Sequence, residues 1–70
     1  MKIYTVVIKF NDDEAVITRN YLSPIKNGKK FLEKVTEIEE HLEKIAIFET
    51  HDVSTISDIE DYHLSNMIIQ

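Results

Sequence analysis

Residues 2–10, KIYTVVIKF, are β-branched, aromatic and charged residues with no glycine or proline, a pattern that predicts a strand. NDDE, residues 11–14, supplies a turn, and AVITRNYL, residues 15–22, predicts a second strand. A hairpin centred between Asp12 and Asp13 sets Phe10 opposite Ala15, Ile8 opposite Ile17 and Tyr4 opposite Tyr21. Tyr4, Val6, Ile8, Phe10, Ala15, Ile17 and Tyr21 then share a core face, interrupted by Arg19. The opposite face carries Ile3, Val7, Val16 and Leu22 among Thr5, Lys9, Thr18 and Asn20. That face is more apolar than a solvent face should be, so these four residues are the candidate interface of a homodimer.

Ser23-Pro24 opens a segment with two readings. In one, Ser23 caps a helix that begins at Pro24; in the other, SPIKNG is a turn and Asn27 is the cap. The apolar series Phe31, Val35, Ile38, Leu42, Ile45 is spaced 4, 3, 4, 3, and Ile25 lies off that stripe. The spacing therefore favours the later start and predicts an amphipathic helix over about 29–45. AIFETHDV, residues 46–53, predicts a third strand. In residues 54–70, Ser57-Asp58-Ile59-Glu60 fits a capping box, while DYHLSNMII fits a last strand with Tyr62, Leu64, Asn66 and Ile68 on one side. The expected fold is a single α+β domain over residues 1–70: ββαβ with a fourth short strand as an option, a small antiparallel sheet packed on one helix.

Composition adds constraints. Seventy residues without cysteine have neither disulfides nor thiolate metal sites to support a small core, which makes oligomerisation the expected support. Eleven isoleucines against two alanines and one glycine point to an AT-rich gene, as in a low-GC bacterium or its phage. No apolar run approaches the roughly 20 residues of a membrane span, and MKIYTVVIKF lacks a signal peptide's plan. A cytoplasmic protein with no membrane partner is expected.

Charge divides the chain. Residues 1–30 carry six basic against three acidic side chains, and residues 31–70 carry two against ten, so a half at +3 precedes a half at −8. On the predicted helix Glu33, Glu37, Glu40 and Glu43 form a row of carboxylates, a candidate contact surface able to imitate a phosphate string. Lys26, Lys29 and Lys30 cluster in KNGKK and are the candidate basic contact.

Catalytic signatures are missing. The chain has no Gly-x-Ser-x-Gly elbow, no Walker motif and no thiol. His41, His51 and His63 show no metal-ligand spacing, and NDDE lacks the glycine of a calcium loop. No catalytic residue, metal or cofactor is expected. The expected function is a non-catalytic protein-interaction domain, a homodimer that binds a host or cognate protein as a phage or mobile-element regulator or inhibitor. The second expectation is a small nucleic-acid-binding regulator using the basic N-terminal half, against which stands a pI near 5.0.

Overall fold

The structure, a computed structural model, describes the backbone of residues 1–70 and every side chain except those of residues 56 and 58. It is an α+β domain with the order β1 (Lys2–Phe10), β2 (Ile17–Ser23), α1 (Gly28–Ile38), β3 (Leu42–Asp52), α2 (Ile56–Glu60) and β4 (Leu64–Ile68). The four strands form one sheet in the order β3-β1-β2-β4. β1 runs antiparallel to both β2 and β3, while β4 joins β2 in parallel, so the sheet is mixed.

The first hairpin has the register that its apolar alternation requires, with Tyr4 opposite Tyr21 and Ile8 opposite Ile17. The ladder stops short of the Phe10–Ala15 pair, because β2 begins only at Ile17. Local bonds explain the longer loop. The Asp13 side chain accepts from the Ala15 N–H, and the Asn11 N–H donates to the carbonyl of His41 instead of across the hairpin.

Asn27 caps α1, its side-chain oxygen accepting from the backbone N–H groups of Lys29 and Lys30 at 2.9 and 3.2 Å. Ser23 is no cap. Its hydroxyl donates to the Ile69 carbonyl and accepts from the Ile25 N–H, which ties the turn to the end of the chain. Gly28 opens the helix against β3, where an added Cβ would lie 3.0 Å from the Ile47 Cδ1.

The helix ends at Ile38, not near residue 45, and residues 42–45 belong to β3. Glu39, extended at φ −84° and ψ 119°, ends the helix, and His41 adopts φ 64°, the left-handed conformation of the turn that leads into β3. Leu42 and Ile45 remain on one face because β3 is bulged between them: Leu42 opposes Phe10, Lys44 opposes Lys9, and Glu43 is the extra residue. A spacing of three, the mark of a helix, is here produced by a bulged strand.

Tyr4, Val6, Ile8, Tyr21, Phe31, Val35 and Ile69 form the core between α1 and one face of the sheet. Ala15, expected on that face, is exposed in the hairpin loop. The last crossover, from β3 through α2 to β4, runs across the sheet in the opposite direction to the β2–α1–β3 crossover. Right-handed connections in both directions place the two helices on opposite faces. The positions agree. His51 stands beside Ile3 on the face away from Tyr4, and the Tyr62 ring lies 5.6 Å from His51, tilted by 32°.

Candidate interaction face

The sheet's second face falls into two halves. At one end, Ile3 lies between Leu22 and His51 in the ladder and is 0% exposed, and Tyr62, after α2, packs its ring on the neighbouring His51. Thr5 and Asn20, also cross-strand partners, are bonded through Thr5 Oγ1 and Asn20 Oδ1 at 2.6 Å, and Asn20 Nδ2 donates to the His63 carbonyl at 3.4 Å. This polar bridge marks where the cover ends. Beyond it Val7 is only half-buried, Ala46 is exposed, and Val16 is 59% exposed.

Those three residues, with Lys9, Glu43 and Lys44, line an open groove of about 630 Å³. Lys9 and Lys44 are directly opposite in the ladder, an arrangement that repels. Glu43, the bulge residue, relieves it by pairing with Lys9 at 2.8 Å. The hydrogen bond from Lys9 is also what holds the Glu43 carboxyl below its ordinary value. A second bulge lies between Ile47 and Glu49, where Phe48 is the extra residue and is 71% exposed. Both bulges interrupt the free edge of the sheet, since β3 is an outer strand.

The four residues expected at a dimer interface are thus not equivalent. Val7 and Val16 are together in the groove, while Ile3 is buried and Leu22 half-buried at the covered end. The chain covers part of its own second face with the segment through Tyr62, whereas Ile69 enters the core on the helix side.

The carboxylate row does not survive as a helix face. Glu33 and Glu37 are exposed on α1, Glu40 lies in the following turn, and Glu43 is on β3. Among the lysines, Lys26 is in the loop before the cap, but Lys29 and Lys30 are inside the first helical turn. All three are exposed and belong to none of the ion pairs among the described residues.

The charge asymmetry is partly absorbed internally. Lys2–Asp52, Lys9–Glu43 and Arg19–Glu39 each join the basic half to the acidic half, because β3 lies beside β1 and the end of α1 reaches β2. Arg19, the charged exception on the core face, lies over the Phe10 and Tyr21 rings at 5.4 and 5.9 Å. It donates to the Tyr21 hydroxyl at 3.0 Å, and that hydroxyl donates to Glu39 at 3.1 Å. Burial pushes the Tyr21 phenol above its ordinary value, as it does for Tyr4.

The histidines are dispersed: His41 in the turn after α1, His51 on β3 against Tyr62, and His63 ahead of β4. Among the described residues no three His, Asp or Glu side chains gather as a metal site, and no helix is long and apolar enough to cross a membrane. Tyr4 and Tyr21 are sealed in the core, leaving Phe48 as the exposed aromatic of the sheet. Three features were not anticipated in the sequence: Phe48 as an exposed bulge residue, Ala46 in the groove floor, and the Lys9–Glu43 pair. The Lys9–Glu43 pair depends on the early start of β3, and the other two on its bulged pairing with β1. No protein family, curated protein or solved structure matches the chain.

Proposed function

We propose that this chain is a small non-catalytic protein-interaction domain whose contact surface is the open half of the second sheet face. The observation that carries this reading is the open apolar floor of Val7, Val16 and Ala46, while Tyr4, Val6 and Ile8 on the opposite face of β1 are sealed in the core. Exposed apolar surface of this kind favours a protein partner, because covering it removes about 25 cal/mol per Å² of unfavourable hydration.

Two further observations support it. The polar groups of the groove are a Lys–Glu ion pair and one more lysine, with no nucleophile beside a base. The acidic helix row is broken at Glu40, which removes the main geometric support for phosphate imitation. The face on the sheet is therefore preferred to the helix as the contact surface.

The test compares wild-type chain with Val16→Asp as immobilised bait in a lysate of the organism that encodes it, alongside the mass of each in solution. Val16 is exposed, so the variant should keep its fold by circular dichroism. Partners or self-association present in wild type and lost in Val16→Asp are expected. Identical capture and identical mass for the two chains would remove this face from the function.

A further inference from the structure

The open half-face is charged in an ordered way. Lys44, Ala46 and Glu49 oppose Lys9, Val7 and Thr5 in turn, so they are consecutive positions on the same face of β3. The bulge at Phe48 makes this possible by bringing Glu49, rather than Phe48, opposite Thr5. Along the edge of the groove the chain thus presents a cation, a small apolar residue and an anion. Lys44, Ala46 and Glu49 are all exposed, and neither charge has an ion-pair partner among the described residues.

We propose that the occupant of this face is a second copy of the chain, packed sheet against sheet about a two-fold axis through Ala46. This rests on the interaction-domain reading above and specifies its partner. A two-fold axis that reverses strand direction carries the level of Lys44 onto the level of Glu49. Each Lys44 then meets the Glu49 of the other copy, twice per dimer, while Val7 and Ala46 of both copies close over one another and each Val16, level with Lys9 and Lys44, faces the level of Thr5 and Asn20. The pattern is self-complementary, as an isologous contact requires.

Local charge removes the obvious objection. The chain carries −5 overall, yet Lys9, Lys44, Glu43 and Glu49 leave the patch itself neutral. Joining the sheets edge to edge is the poorer arrangement. Bulges at Glu43 and Phe48 interrupt the row of N–H and C=O groups that a continuous ladder through β3 would need. Face-to-face stacking uses no edge hydrogen bonds and leaves about 10 Å between sheets, a gap that lysine and glutamate side chains bridge.

The experiment is a charge swap read by light scattering from low micromolar to millimolar chain, with circular dichroism confirming the fold of each variant. Wild type should shift with concentration from the 8.2 kDa of one chain toward twice that mass. Lys44→Glu and Glu49→Lys should each weaken self-association tenfold or more, by placing like charges together at both ends. The double variant carrying both substitutions should recover wild-type association within about threefold. A wild-type mass of one chain throughout overturns the dimer. Single reversals without effect, or a double variant no better than the singles, overturn this arrangement. If wild type stays monomeric while Val16→Asp still loses captured proteins, the interaction face stands and the self-pairing falls.

Discussion

The Tyr4 ring stacks on Phe31 with centroids 3.8 Å apart and planes 10° from parallel, joining the central strand to the helix. Tyr21 meets the same ring edge-on at 5.9 Å. Phe31 thus packs its ring against both Tyr4 of β1 and Tyr21 of β2.

Phe31→Ala should therefore cost about 3–5 kcal/mol, the range for deleting a buried aromatic side chain. A chain of this size has roughly 3.5–10 kcal/mol in total, so the variant should be largely unfolded at 37 °C. Phe31→Leu should cost about 1–2 kcal/mol and remain folded. Urea titration followed by circular dichroism measures both, and a loss below about 1 kcal/mol for Phe31→Ala would deny Phe31 its place in the core.

His41 holds φ 64°, a conformation that glycine adopts without cost and that histidine adopts only with strain. His41→Gly should stabilise the fold by up to about 1 kcal/mol, a rise of roughly 4–8 °C in melting temperature. His41→Val should lower it, since a β-branched residue is the least tolerant of that region. Calorimetry that ranked Val above Gly would show that the turn is not held as described.

Lys29 and Lys30 are exposed in the first turn of α1, at the partially positive end of the helix. Changing each to Glu should raise stability by about 0.3–1 kcal/mol at low salt, less at high salt. Self-association should not change, because neither residue lines the groove. Loss of association on these changes would move the contact surface to the lysine turn.

Alkaline pH should loosen the fold. Burial raises the phenol pKa of Tyr4 and Tyr21 above the ordinary 10.0, so the folded state holds those protons more tightly than the unfolded chain. Their contribution is complete below pH 10 and is lost as pH rises through the raised folded values. Melting temperature should fall in that range, and Tyr21→Phe should reduce the slope while leaving Arg19 paired with Glu39 at 3.3 Å. An unchanged slope in the variant would assign the alkaline loss elsewhere.

The hairpin register and the Asn27 cap were legible because each is a local matter: alternation fixes the first, and the position of Phe31 on its stripe fixes the second. The end of α1 was not. Leu42 and Ile45 carry a helical spacing that tertiary pairing with Phe10 and Ile8 converts into a bulged strand. The cover over Ile3 was equally hidden, since it depends on the direction of the last crossover and on Tyr62 meeting His51. Val7 and Val16 were found by alternation; Lys44 required the true start of β3, and Ala46 and Glu49 its bulged pairing with β1.

The most direct test of the interaction face is methyl NMR of wild type across a concentration series. With a second copy as the partner, the methyl signals of Val7, Val16 and Ala46 should shift progressively with concentration. Those of the core residues Val6 and Val35 should stay in place. A mixed sample of labelled and unlabelled chains should then give intermolecular contacts between Ala46 and Val7. Shifts confined to the exposed side of α1 around Glu33 and Glu37, with the groove methyls unmoved, would contradict the assignment of the contact surface to the sheet.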